Sequence, residues 1–307
     1  ILKSYKPKRL IVYSRDELKQ FDFQNELKNS VPKIKYSKMR FFIGDVRDLS
    51  RLELAFQNVD IVVHAAALKQ VMSSEYNPIE CIKTNIIGAQ NIISASLTCK
   101  VKKIIALSTD KAASPVNLYG ATKLVSDKLF ISANNIIGSN KSFFSVVRYG
   151  NVMGSRGSVI PYFINLKKSG STFLPITNKS MTRFFITLDQ GVDFVIQSFK
   201  RMQGGEIFIP KIPSFYITDL GKAIAPNLKQ KIIGIREGEK IHEKMISSDE
   251  SQLTLSFKDH YVIKPSIKFT GMKIDYKKNK LGEKGTSVKE NFSYDSNLNE
   301  KFLNICK

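Results

Sequence analysis

A chain of 307 residues with 42% hydrophobic content has the apolar mass for one large α/β domain and a smaller lobe, which excludes a fibre and a disordered tail. The net charge of +21 comes mostly from lysines scattered along the whole chain, with only a modest cluster at Lys277, Lys278 and Lys280, which argues against a dedicated nucleic-acid interface. Without a membrane-length apolar run or an N-terminal signal stretch, no membrane partner and a cytoplasmic location are expected, and the separated cysteines Cys81, Cys99 and Cys306 suggest neither a disulfide framework nor a metal site.

Candidate strands fall at Arg9–Ser14, Arg40–Asp45, Asp60–His64, Lys103–Ser108 and Phe143–Arg148. Helical stretches lie between them at Asp16–Lys28, Leu49–Phe56, Pro78–Leu97 and Leu118–Asn135, with Pro78 suited to a first helical turn. This alternation is that of βαβ units and predicts an α/β fold, a Rossmann-like doubly wound parallel sheet. Such a sheet opens with a strand, a Gly-x-Gly-x-x-Gly turn and a helix whose N-terminus holds a pyrophosphate. Nothing of the kind precedes Arg9, and Ile1–Lys8 reads as the tail of that helix, so the N-terminal strand and glycine turn are expected to be missing. Beyond Gly150, Pro and Gly become more frequent and short elements at Gly205–Ile209 and Lys231–Ile235 interrupt the helices. The expected division is a dinucleotide-binding domain over residues 1–150 and a smaller C-terminal substrate lobe over 151–307, with a return to the first domain near 182–200. From about Ser247 the chain reads as irregular surface structure.

Tyr119 and Lys123 are four residues apart, so on a helix both point to one face and can reach a common ligand. A nearby ammonium lowers a phenol from its ordinary value of about 10, letting a tyrosine serve as a base near neutral pH. The pair follows the strand Lys103–Ser108, whose end carries the hydroxyls of Ser108 and Thr109, able to polarise the same substrate oxygen. Carboxyl ends of strands are where such sheets bind ligands.

The segments Ser108–Lys111, Leu118–Leu124, Ile43–Asp48, His64–Lys69, Arg148–Pro161 and Ile235–Glu243 together make the chain resemble, nearly end to end, the inverting UDP-N-acetylglucosamine 4,6-dehydratases of bacterial surface-sugar synthesis. These are of the pseudaminic acid pathway type and belong to the extended short-chain dehydrogenase/reductase family. The resemblance implies UDP-N-acetylglucosamine as substrate, tightly held NADP and a homo-oligomer. Dehydration across C5 and C6 of a hexose needs a group to take the C5 proton once C4 is a ketone, and an acid for the departing 6-hydroxyl. Retaining relatives carry Asp-Glu at this place, and the inverting ones carry Asp-Lys as here, which makes Asp110 the acid and Lys111 the C5 base beside Thr109 and Tyr119. Lys111 can act so only if burial or a cation such as Lys123 depresses its pKa.

For the cofactor, Ser14-Arg15 at the tip of the first strand favours the 2′-phosphate of NADP, with Lys19 close by. Asp16 and Glu17 temper that reading, because they also suit the first turn of the next helix. Asp45-Val46 resembles the family's adenine contact, and Ala65-Ala66-Ala67 is small enough for close backbone approach, with Lys69 just beyond, within reach of cofactor and substrate alike. His64 reads as a core residue. Asn85 matches a position that orients the active-site lysine through water, or else is a helix-surface Asn. For the substrate, Asn151 precedes a Gly/Ser loop in which Arg156, Gly157, Ser158, Val159 and Ile160 lead into a helix, offering N–H groups and a guanidinium to a diphosphate. Arg236-Glu237-Gly238-Glu239-Lys240 resembles an Arg-Pro-Gly-Glu-Lys segment in which Arg236 meets the pyrophosphate and Glu239 the uridine ribose, Glu237 in the proline's place making the turn less rigid. Arg183 reads as a further anion ligand or as a structural ion pair, and Arg148 belongs to the same motif-borne set of arginines. His242 and Glu243 lack a third ligand for a metal.

Two competitors are set against the dehydratase. A UDP-sugar 4-epimerase or reductase shares Tyr119 and Lys123 but has no use for Asp110-Lys111. A non-catalytic nucleotide-sensing or nucleic-acid-binding module is suggested by the charge and the missing glycine turn.

Overall fold

The computed structural model describes residues 1, 5–138, 141–155, 157–267 and 274–304. Its first half follows the alternation read from the sequence: β1 (Leu10–Ser14), α1 (Glu17–Ser30), α2 (Lys33–Tyr36), β2 (Met39–Ile43), α3 (Leu49–Ala55), β3 (Ile61–His64), α4 (Val71–Tyr76), α5 (Pro78–Ile82), α6 (Gly88–Thr98), β4 (Lys103–Thr109), α7 (Leu118–Ser132) and β5 (Phe143–Tyr149). The helix starts are set by local chemistry. Asp16 accepts from the Lys19 N–H, Asp48 from the Arg51 N–H and Asn117 from the Gly120 N–H, each satisfying a donor that the first helical turn leaves unpaired.

The second half adds β6 (Asn151–Val152), α8 (Val159–Lys168), β7 (Phe173–Ile176), β8 (Thr182–Ile186), α9 (Leu188–Arg201), β9 (Ile207–Pro210), β10 (Ser214–Tyr216), α10 (Ile217–Ile224), β11 (Lys229–Ile232), β12 (Lys244–Ile246), β13 (Thr254–Ser256), β14 (His260–Ile263), β15 (Thr286–Ser287) and β16 (Tyr294–Asp295). The main sheet has the order β15-β13-β14-β9-β5-β4-β3. Strands β3, β4, β5 and β9 run parallel, with Val62 beside Ile104, Ile104 beside Phe144 and Val147 beside Phe208. Successive strand residues point to opposite faces, and both faces are covered. Ile104, Ala106, Phe144 and Val146 enter one core with Ile92 and Phe130, while Ile105, Val147 and Phe208 enter another with Phe194 and Phe199 of α9. A third core, around Phe163, Leu174, Ile176 and Phe215, holds α8, β7 and β10 together as a separate packing unit.

β1 and β2 pair in parallel as a sheet of their own. Among the described residues β1 is not hydrogen-bonded to β3, and a groove of about 500 Å³ opens between the two strands at their carboxyl ends. Of Ile1–Lys8, Leu2, Lys3 and Ser4 lie outside the described residues; the Tyr5 N–H donates to the Ile1 carbonyl at 2.8 Å.

Three expectations are corrected. The stretch after Ser247 is not irregular surface: β14 pairs with β9, β13 with β14, and Leu255, Val262 and His260 are buried. Strands of three or four residues are too short to show a period, and their partner lies far away in sequence. The helix expected over Pro78–Leu97 is interrupted by a π turn at Lys83–Ile87, with Thr84 and Asn85 buried in it. No Pro or Gly inside Lys83–Ile87 announces it. The helix α4 was not foreseen.

His64 ends β3 as the core residue it was read to be. It is buried, stacked on Phe130 with ring centroids 5.5 Å apart, and burial together with the Lys123 ammonium pushes it down to about 3. A histidine neutral when folded gains protons on unfolding below its ordinary value of 6.5, so stability falls as pH is lowered from there toward 3. The loss is on the order of a few kcal/mol. His64→Leu is expected to flatten the acid limb of a urea-denaturation series run between those pH values; an unchanged limb would remove His64 from it.

Candidate active site

Strand β4 ends at Thr109 and runs straight into a single 3₁₀ turn, Asp110–Ala112. The Thr109 hydroxyl donates to Asp110 Oδ1 at 2.9 Å and accepts from the Lys111 N–H at 3.3 Å, which fixes both titratable side chains at the strand tip. Helix α7 is pressed against this turn. A Cβ on Gly120 would strike the Lys111 carbonyl oxygen, so only glycine permits the approach that sets Tyr119 beside Thr109 and Lys111. Glu75 accepts from the Leu118 N–H at 2.7 Å and completes the helix start.

The Lys111 ammonium lies between two carboxylates, 3.2 Å from Asp110 Oδ1 and 3.0 Å from Glu243 Oε1. Both carboxyl side chains are almost fully buried, whereas a quarter of the Lys111 side chain stays exposed. Burial lowers the lysine's pKa, but Asp110 and Glu243 outweigh it and hold the group raised. This corrects the expected depression: the carboxylates beside Lys111 favour its ammonium form. Burial and the neighbouring Glu243 raise Asp110 despite Lys111, which suits an acid that keeps its proton. The expected lowering of the Tyr119 phenol is corrected as well: burial pushes it up to about 12, against the opposing effects of Lys111 and the Thr109 hydroxyl. The cation acting on the phenol is therefore Lys111. Lys123 is buried, and its charge acts on Asp127 and His64.

Ser108, expected to face the substrate with Thr109, instead donates to Asp127 Oδ2 at 2.8 Å, because alternate residues of a strand point to opposite faces. Arg148 is likewise no surface anion ligand. It is fully buried, 3.4 Å from Asp127 Oδ2 and from Glu250 Oε1, and donates to the Met245 carbonyl at 2.9 Å. Arg183 takes the structural role of its two readings. It donates to the carbonyls of Thr182, Lys240 and Ile241 and sits 3.7 Å from Glu243. Glu243, weighed in the sequence only as a metal ligand, is the site residue that sequence reasoning missed; its place next to the Arg236–Lys240 segment was the available signal. No cluster able to hold a metal occurs among the described residues.

Around this centre, Ser14, Arg15, Asp16, Lys19, Asp45, Val46, Ala65 and Ala66 all line the groove between β1 and β3. Asp16 is used as the α1 cap and Glu17 as its first-turn acid, while Arg15 and Arg47 both pair with Asp45. Small Ala65–Ala67 walls, apolar Val46 and Ile92, and a buried Thr84 hydroxyl without a protein partner make the groove fit a nicotinamide dinucleotide, with Arg15 and Lys19 on its rim. Lys69 is lowered by burial and by the charges of Lys111 and Lys19. Asn85 is not a surface residue. Its amide donates to the Leu68 carbonyl and accepts the Leu68 N–H, tying the loop after β3 to the π turn.

On the far side, Asn151, Ser158, Val159 and Ile160 line one small depression, where Asn151 Oδ1 and Ser158 Oγ are buried without a protein partner. Gly157, at φ +75°, packs on Gln70, and Arg156 lies outside the described residues. The Arg236–Lys240 turn is clamped onto the start of α7. Asn117 donates to the Gly238 carbonyl and Lys240 to the Ala113 carbonyl, each at 2.8 Å, so the turn is held despite Glu237 in place of proline. Arg236 is exposed, and one carboxylate oxygen of Glu239 is buried and unpartnered.

The family described as polysaccharide biosynthesis protein matches residues 1–265 of the chain. A UDP-N-acetylglucosamine 4,6-dehydratase (inverting) of Campylobacter jejuni subsp. jejuni serotype O:23/36 is 59% identical over 302 residues, covering 98% of this chain and 88% of that protein. A UDP-glucose 4-epimerase of Rickettsia conorii is 41% identical over 303 residues, covering 97% and 84%. Among solved structures, Pen from Bacillus thuringiensis superposes with a TM-score of 0.85 at 38% identity, covering 97% of this chain and 87% of that one.

Proposed function

The chain belongs to the polysaccharide biosynthesis protein family, and from that premise we propose that it is a UDP-N-acetylglucosamine 4,6-dehydratase that inverts C5. It would be a hydro-lyase giving a UDP-4-keto-6-deoxy-L-hexose for a bacterial surface or flagellar sugar of the pseudaminic acid type. The observation that carries this reading is the placement of Asp110 and Lys111 in one cluster with Tyr119, Lys111 keeping an exposed quarter toward which a sugar can be set.

A nicotinamide dinucleotide in the β1–β3 groove supplies the hydride acceptor at C4 and the hydride donor at C6. Tyr119 takes the proton of the 4-hydroxyl as its phenolate, the form that the Lys111 ammonium and the Thr109 hydroxyl favour against burial. Lys111 then removes the C5 proton, made acidic by the C4 ketone, and Asp110 protonates the departing 6-hydroxyl as water. C5 is reprotonated on the opposite face by a proton from solvent, and the protons taken up by Tyr119 and Lys111 are then released, one restoring Asp110 and one returning to solvent. Lys69, Asn151, Gly157–Ile160, Arg156, Arg236 and Glu239 are proposed to hold the UDP moiety. The unpartnered oxygens of Asn151, Ser158 and Glu239 support this, since each lacks a protein partner.

Incubation with UDP-N-acetylglucosamine tests the reading: the product mass should be lower by one water, and an unchanged mass would leave the epimerase. That competitor has no task for the Asp110–Lys111 pair. We also propose NADP over NAD, because the cap of α1 uses Asp16, Asp45 is paired with Arg15 and Arg47, and the exposed Arg15 and Lys19 line the groove as cations for a 2′-phosphate. Arg15→Ala is expected to weaken NADP roughly 10-fold to 100-fold, the value of a charge-assisted contact, with NAD affinity nearly unchanged by calorimetry. Equal losses for both cofactors would refute the phosphate role. No helix among the described residues is long and apolar enough to cross a membrane. A cytoplasmic location and a homo-oligomer complete the proposal.

A further inference from the structure

Building on the dehydratase reading, we propose that Glu243 is the proton acceptor for Lys111: it takes, over the 3.0 Å from Nζ to Oε1, the proton that Lys111 must shed before it can remove the C5 hydrogen.

A base that rests as an ammonium cannot work until that proton leaves, and the protein has to provide a destination. Glu243 is within hydrogen-bond distance of the Lys111 nitrogen and is assigned no other step of the reaction. Asp110, at 3.2 Å, is the other candidate, but it must itself be protonated to assist the loss of water. Arg183 and Lys240, the further charges facing Glu243, cannot accept a proton at neutral pH in their cationic forms.

The proton count agrees. Burial raises Asp110, in the direction its role as acid requires, and Glu243 stands 3.0 Å from the Lys111 nitrogen as the carboxylate that holds it as an ammonium. With the acid proton on Asp110, the three sites hold two protons before the reaction, one on Asp110 and one on Lys111. The working state also needs two, on Asp110 and Glu243, with Lys111 neutral. Moving one proton from nitrogen to oxygen converts the first into the second, annihilates an ion pair and exchanges nothing with solvent. Substrate closing over the exposed quarter of Lys111 favours that neutral pair, since burial penalises charge.

The seat is rigid enough for a short transfer. The Glu243 N–H donates to the Ser296 hydroxyl at 2.9 Å, the Ser296 N–H donates to the Glu243 carbonyl at 2.8 Å, and β12 begins at the next residue. The second Glu243 oxygen, Oε2, is buried without a partner, so an ionised carboxylate here is poorly solvated and a protonated one is accessible. Glu243 acts through Lys111 and is a positioning residue in this sense.

The test measures deuterium incorporation at C5 of UDP-N-acetylglucosamine and its product in heavy water, with the NADP-loaded full chain, as a function of pH. Glu243→Gln should lower C5 exchange about 100-fold at neutral pH with KM within about threefold, and the rate should climb with pH where the wild type is flat, because Lys111 must now lose its proton to solvent. Glu243→Asp, which keeps a carboxylate, should recover exchange to within about tenfold of wild type and restore the flat profile. An exchange rate in Glu243→Gln equal to or faster than wild type, or a pH profile unchanged from it, overturns the inference. Should Glu243→Gln fail to fold by thermal melting, the Asp variant decides, a profile rising with pH being the adverse result. If the wild-type protein itself releases no water from the substrate, the dehydratase reading has failed rather than this one.

Discussion

Replacing Tyr119 by Phe is expected to lower kcat about 1000-fold, the upper part of what a positioned acid–base group contributes, with little change in substrate affinity. Phe keeps the buried ring, so the loss isolates the phenolic oxygen. The companion variant Lys111→Met should fail differently. With Tyr119 present, C4 oxidation persists, slowed by the loss of the cation that favours the phenolate, and reduced nicotinamide accumulates on mixing with substrate, but no product lighter by one water appears. In Tyr119→Phe neither signal appears. Rapid-mixing absorbance together with product mass separates the two, and accumulation of reduced cofactor in Tyr119→Phe would remove Tyr119 from the first step. Lys111→Met carries a second cost, because it leaves Asp110 and Glu243 buried without the ammonium between them.

The larger effect on stability is expected at Arg148, where Arg148→Met should destabilise the fold by about 3–5 kcal/mol. Its guanidinium is fully buried and neutralises Asp127, itself buried, while donating to the Met245 carbonyl and reaching Glu250. Without it, Asp127 keeps only Lys123 as a buried counter-charge and the hydroxyl of Ser108 as a donor. The pH dependence has a definite sign. Burial already raises the folded-state pKa of Asp127, and losing Arg148 raises it further. The unfolded state is common to both proteins, so the variant's deficit should grow as pH rises from the raised folded-state range of wild-type Asp127 into the still higher range of the variant, and shrink as pH falls back through it. Adding Asp127→Asn should restore part of the loss in a double-mutant cycle, because it removes the uncompensated charge. A deficit independent of pH, or additive with Asp127→Asn, would show that Arg148 matters by volume alone.

Much of the fold was legible because its signals are local. Five strands and the helices between them carry their own caps and apolar runs, and Asp16, Asp48 and Asn117 cap helices within three residues of themselves. The short strands β13 and β14 were not legible, since what stabilises them is the edge of β9 and the core of Ile105, Val147 and Phe208. The π turn that buries Asn85 was hidden for the same reason, its cause being the Leu68 backbone across the interface.

At the candidate site the division runs along the same line. Sequence alone determined which groups stand at the tip of β4 and the start of α7, because adjacency in Thr109-Asp110-Lys111 and the four-residue spacing of Tyr119 and Lys123 are properties of a few consecutive residues. Only the tertiary structure decided their charge states. Glu243 reaches Lys111 from a distant part of the chain and holds it as an ammonium, and Asp127 and His64 surround Lys123 in the core, so the phenol feels Lys111 instead. Electrostatic energy depends on distance through space and on burial, and neither is written in the spacing of residues along the chain.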